Sequence, residues 1–152
     1  PLFLRTPLSR MNLANFMLAQ LYAAFASLKI GTDILVKEEG VTTDVMVAQG
    51  GLFRTPVIGQ QVLADVLETP ITIMDTAGEG GPWGMAVLAV YALQPEKKSL
   101  ADFLDQQVFS DVKSTTRKPD PDGVAGCRRF IENYRRGLPV EIAAGGAIAD
   151  QD

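Results

Sequence analysis

Val45-Met46-Val47-Ala48-Gln49-Gly50-Gly51 leads into a helix-forming stretch, Pro56 to Leu67. The same arrangement then follows: Ile71-Thr72-Ile73-Met74, the glycine-rich run Gly78-Glu79-Gly80-Gly81-Pro82, and a helical stretch from Trp83 to Ala92. Val45–Ala48 and Ile71–Met74 are short and almost wholly apolar, the pattern of strands buried on both faces of a sheet. Each ends in glycines just before a helix. There a glycine lets backbone N–H groups approach a ligand, and the positive end of the next helix favours an anion. Two such units in succession predict an α/β layer with parallel strands and one half of a nucleotide cleft.

Outward from this centre the chain is mostly helical. From Asn12, the residues Leu18, Leu21, Phe25 and Leu28 recur at spacings of three and four, which predicts one buried apolar stripe. The alanines between them support helix and close packing, and Gly40 is a natural stop. In the second helix Val57, Ile58, Val62, Leu63, Val66 and Leu67 form the expected buried side. The third is nearly all apolar from Met85 to Leu93, so it is expected to be sandwiched inside the fold. Ser99 reads as the N-cap of a helix over 100–108. The polar stretch Asp111 to Gly123 reads as a surface loop. A last helix, Val124 to Arg136 with Phe130, Ile131 and Tyr134 on its apolar face, is expected to stop at Gly137-Leu138-Pro139, with 143–152 a frayed tail. Two strands make a poor sheet, so the sheet is expected to be completed by strands this pattern misses or by residues outside the chain.

Composition narrows the chemistry. A chain of 152 residues can bury one real core. The net charge of −4 argues against a broad nucleic-acid surface, and Arg128, Arg129, Arg135 and Arg136 read as a solvated helix face. There is no histidine, which removes Ser-His and Cys-His catalysis and every His metal ligand. Cys127 is the one cysteine, so no disulfide framework exists. It reads as a partly buried small apolar residue in a reducing cytoplasm. No segment is read as crossing a membrane, because Asn15, Gln20 and Ser27 interrupt the longest candidate, Ala14 to Leu28. The chain opens with Pro1 and not with methionine, which suggests a piece of a longer protein.

The candidate chemistry is concentrated at the two glycine turns. Neither a Walker A run nor a G-x-G-x-x-G fingerprint occurs at the Gly50-Gly51 turn, so the P-loop and the usual dinucleotide folds are excluded. The second loop, Thr76 to Gly84, places four glycines near Trp83. The tryptophan could line a flat pocket for a base or anchor the core. Glu79 precedes a helix N-terminus, where a carboxylate is favourable in any case. Asp65, Glu68 and Asp75 could form an acid/base or magnesium site, but nothing in their spacing requires it, and Asp65 and Glu68 read as surface charges.

Three segments together resemble the C-terminal part of the FGGY carbohydrate kinases, of the actin/hexokinase superfamily. The helix Asn15-Phe16-Met17-Leu18-Ala19-Gln20-Leu21-Tyr22-Ala23-Ala24-Phe25-Ala26 is similar to a family helix that runs from a histidine to an Ala-Phe pair. Gly50-Gly51-Leu52-Phe53-Arg54-Thr55-Pro56, continuing through Gln60-Gln61 to Ala64-Asp65, matches the family's Gly-Gly turn and following helix. Glu79-Gly80-Gly81-Pro82-Trp83-Gly84-Met85-Ala86 matches its Glu-x-x-x-x-Gly-x-Ala run. The resemblance covers residues 12–93, and more weakly the last helix. It implies an incomplete lobe of ribonuclease-H-like fold, 94–140 being closing helices. It also implies transfer of a phosphoryl group from ATP, with magnesium, to a sugar hydroxyl. By the same resemblance Gly50 and Gly51 give backbone contacts to the nucleotide, and Leu52, Phe53 and Thr55 belong to its adenine side.

The departures are specific. Leu52 stands where the family is often small, Thr55 near where it often has asparagine or serine, and Tyr22 where glutamate is common. The tryptophan-bearing loop reads like ribulokinase-type members, which points to a pentulose such as ribulose or xylulose. The family's phosphate loop, most sugar contacts and the catalytic aspartate lie upstream of the matched region. The chain alone is therefore expected to be inactive, to meet sugar only with that other lobe, and to self-associate through uncovered apolar surface. Two other readings stay open: a non-catalytic α/β interaction domain whose glycines only make turns, and a small enzyme with a carboxylate site of its own.

Overall fold

The parallel pair expected around the two glycine turns is present, but the first strand is not buried on both faces as expected, since Val45 and Val47 are exposed. The computed structural model describes residues 2–55, 57–78, 80–95 and 98–149. In it β1 (Met46–Val47) runs parallel to β2 (Ile71–Met74), with Met46 opposite Ile71 and Val47 opposite Thr72. The amides of Met46 and Ala48 donate to Pro70 O and Thr72 O, both at 2.9 Å, so the ladder reaches the edge of the first turn. A third strand, β3 (Ser114–Arg117), lies antiparallel to β2, and the sheet order is β1-β2-β3. This overturns the loop expected over 111–123 and makes the sheet mixed. Ser-Thr-Thr-Arg carries no apolar alternation, but its threonines suit a pleated edge. Thr116 and Thr72 join their hydroxyls across the strands at 2.7 Å.

The chain divides into two compact bodies. The sheet belongs to the one formed by Thr43–Ala64 and Thr69–Lys118. The crossover helix α2 (Ile58–Leu67), whose residues from Asp65 on belong to the other body, buries Val62, Leu63, Val66 and Leu67 as expected. Val57 and Ile58, placed on the same side by the periodicity, are exposed. They lie at the very start of the helix, where Val57 takes a left-handed backbone (φ 77°), so the helical period does not yet govern them. In α3 (Gly80–Ala92) none of the described side chains is buried. Met85 is 69% exposed, and Leu93, just beyond the helix, 83%. The expectation of a sandwiched helix is overturned: aromatic pairs hold it on one side, Trp83 to Phe109 at 5.7 Å and Tyr91 to Phe103 at 5.3 Å. Ser99 does cap α4 (Leu100–Phe103), its hydroxyl accepting from Asp102 N at 3.1 Å, and the helix continues as a π-turn over Leu104–Val108.

The second body comprises Pro1–Thr42, Asp65–Glu68 and Pro119–Asp152. Its first helix, α1 (Leu13–Lys37), is capped by Asn12, and Gly40 (φ 67°) makes the reversal beyond it. The buried line is Tyr22, Ala26 and Lys29, and not the leucine stripe. Leu18 and Leu28 are exposed. Ala26 is wholly buried, and Tyr22 packs on Phe130 of α5 (Pro121–Ala149) at 5.3 Å. Lys29 is buried because it is paired, with Asp33 at 3.0 Å and Glu68 at 3.2 Å. By length and composition α1 is apolar enough to cross a membrane, against expectation. Its ion-paired lysine here is packed within the fold.

The last helix runs through Gly137-Leu138-Pro139, which was expected to stop it, and on through 143–149, expected to fray. An interior proline removes one hydrogen bond and strains the preceding turn at about 3 kcal/mol. The ten residues after Pro139 continue the helix despite that cost. Residues 150–152 lie outside the described residues.

Candidate functional site

Both glycine turns leave the same end of the sheet, because β1 and β2 are parallel and each turn follows a strand's C-terminal end. In α/β sheets that end is where ligands are held. Gly50 sits at φ 129°, ψ 171°, a conformation open essentially to glycine alone. It caps a 3-10 turn over Gly51–Arg54, with Phe53 N donating to Gly50 O at 3.0 Å. The amides of Gly51 and Leu52 open that turn, where helical geometry supplies no acceptor. A Cβ built at Gly50 or Gly51 would meet nothing within 4 Å, so this side of the turn is open to a ligand. Gly50 N itself is engaged, donating to Ala77 O at 2.8 Å.

That bond brings the two turns together. A second one does the same, from Arg54 Nη2 to Gly78 O at 3.0 Å. Of the residues after the glycines, Leu52 lies across the start of α2, where a Cβ at Gly59 would come within 3.2 Å of its Cγ. Phe53 is half-buried, while Thr55 is exposed with an extended backbone. Trp83 is half-buried against Phe109, the packing role and not that of a free base platform. Glu79 falls outside the described residues.

The acidic candidates resolve differently. Asp65 is buried and accepts Asp120 N at 2.7 Å. Asp120 in turn accepts the amides of Asp122 and Gly123 at 3.1 and 3.0 Å, so the pair caps the start of α5. Glu68 pairs with Lys29 and with Arg128. The surface-charge reading is overturned for Asp65, while Glu68 is an exposed charge, as expected, but a paired one. Arg128 and Arg135 are exposed but paired, with Glu68 and Asp33 respectively. Asp75 stays exposed at the end of β2. Among the described residues no group of three or more His, Cys, Asp or Glu side chains converges as a metal site. Cys127 is buried, more fully than expected, and burial pushes its thiol up to about 11.

Two residues escaped the sequence. In the sequence Arg54 is only part of the matched turn, with no role of its own, and in the fold it binds Gly78 O. Gln60, given no role by the sequence, is buried and donates through Nε2 to Ile71 O at 2.8 Å and Thr115 O at 2.7 Å, fastening α2 to both strands. A buried glutamine inside an otherwise apolar face was the available signal. An open cavity of about 440 Å³ lies between Val57, Gln61, Ile73 and Arg117, with none of Gly50–Thr55 in its wall. One of its polar groups, Gln60, is already satisfied by the strand carbonyls.

No curated protein and no solved structure matches the chain. The sequence profile of the FGGY family of carbohydrate kinases, C-terminal domain, matches residues 1–93. That is more than half of the 152 residues, and it contains both glycine turns, β1, β2 and the crossover helix between them. The chain belongs to the FGGY family of carbohydrate kinases, as its C-terminal domain.

Proposed function

We propose that this chain is the nucleotide-binding C-terminal part of an ATP-dependent sugar kinase acting on a pentulose such as ribulose or xylulose. One observation carries the nucleotide reading: two glycine turns at the ends of adjacent parallel strands are bonded to each other and leave Gly50 and Gly51 open. The fit to a nucleotide is good, since unpaired amides at the start of a turn suit phosphate oxygens. The amides of Gly51 and Leu52 would hold phosphate or ribose oxygens. Leu52 and Phe53 would offer apolar surface to adenine, and the Thr55 hydroxyl a hydrogen bond at its edge. Bound ATP supplies the phosphoryl group to be transferred. The chain's own contribution is orientation, which is most of what phosphoryl transfer asks of a protein. The described residues build no magnesium cage of their own. The pentulose assignment rests on the tryptophan-bearing loop, Thr76 to Gly84. Turnover of sugar belongs to the whole kinase, and the 152-residue chain alone is expected to show none.

An ADP–magnesium titration followed by backbone amide NMR tests the reading. Shifts concentrated at Gly50–Thr55 and in the 78–84 loop are expected. No shift up to millimolar ADP would remove nucleotide binding as a property of the chain. It would favour an α/β interaction domain whose glycines only make turns.

A further inference from the structure

We infer that Arg54 is a positioning residue that clamps the second glycine turn to the first and so holds the Gly50–Gly51 turn in the shape a nucleotide meets. The inference rests on the nucleotide reading above. Arg54 closes the 3-10 turn that begins at Gly51, and its Nη2 donates to Gly78 O at 3.0 Å. Gly78 does not have a left-handed backbone, so conformation alone does not demand glycine there. Space does: a Cβ at Gly78 would stand 2.9 Å from Arg54 Nε and 3.0 Å from its Cγ. The guanidinium thus lies against the bare backbone of the second turn. The bond from Gly50 N to Ala77 O, at 2.8 Å, joins the same two turns one residue away. One bond is a hinge, and two bonds in different directions are a clamp. A planar guanidinium can lie flat on a glycine and donate from its edge, whereas a lysine ammonium is a point charge that cannot.

The test uses the full 152-residue chain with Arg54→Ala, Arg54→Lys, Gly78→Ala and the Arg54→Ala/Gly78→Ala pair. Two quantities are read: hydrogen exchange of the Gly50 amide, and ADP–magnesium affinity by titration. Arg54→Ala is expected to speed Gly50 exchange and weaken ADP about tenfold each, the scale of one charge-assisted hydrogen bond. Gly78→Ala should do the same by displacing the guanidinium. The double variant should be no worse than Arg54→Ala, since the clash disappears with the side chain that makes it. Arg54→Lys should resemble Arg54→Ala. Wild-type exchange and affinity in Gly78→Ala would overturn the clamp, as would additive losses in the double variant or full rescue by lysine. So would a lowered unfolding temperature with both readouts unchanged, which marks a merely structural contact. If the wild-type chain binds no ADP, the nucleotide reading itself fails, and Gly50 exchange alone then decides whether the clamp exists.

Discussion

Gly50 is where backbone strain and ligand access coincide. A side chain there has room, but not at φ 129°, so Gly50→Ala is expected to lower stability by about 1–3 kcal/mol in denaturant unfolding. Gly51→Ala, with space and no left-handed backbone, should stay within about 0.5 kcal/mol. Equal costs at both positions would mean that the turn relaxes freely. Cys127 gives a second residue-level expectation. Its thiol, raised by burial to about 11, is protonated at pH 8 and 1% exposed. A disulfide reagent should therefore label it only at the rate of unfolding, and rapid labelling in the folded chain would refute that burial. Its burial was legible, because a lone cysteine has few other uses. The roles of Asp65 and Arg54 were not, because their partners, Asp120 and Gly78, are 55 and 24 residues away in the chain.

At the scale of elements, α1 and α5 are held partly by charge. Hydrogen bonding from Arg128, helped by Lys29, holds Glu68 below its ordinary value against the opposing effect of burial. Burial pushes Asp33 up, but hydrogen bonds from Lys29 and Lys37 outweigh it, and Asp33 too lies below its ordinary value; Arg135 also faces it. Carboxylates depressed in the folded state add stability above their unfolded values. That stability is lost as pH falls below 4.5 for Glu68 and 3.8 for Asp33 and on through the folded values. Thermal unfolding followed from about pH 6 to 3 should fall steeply in the acid range, and Lys29→Met should make the decline shallower. An unchanged slope in Lys29→Met would show that this network carries no linkage. The helix itself was legible from Asn12 to Gly40, but its buried line was not. Periodicity marks the apolar side, and here a paired lysine and an alanine won the interface.

For the molecule as a whole, the exposed apolar surface is the main consequence. Met85, Leu88 and Val90 on α3 face solvent. An apolar dye of the anilinonaphthalene type is expected to fluoresce strongly with the folded chain. Met85→Lys with Leu88→Lys should lower the signal measurably, with helix content unchanged. A dye signal indifferent to these changes would place the apolar surface elsewhere. The sequence alone determined the order of strands and helices about the two glycine turns, because local apolar runs, glycine and caps act within a few residues. It also carried enough motif to point to a sugar-kinase lobe. Only tertiary structure decided that a polar segment would become β3, that α3 would lie open, that α5 would pass its proline, and that Arg54 and Gly50 would join the turns. Each of those outcomes depends on partners distant along the chain, and distance along the chain leaves no mark on local pattern.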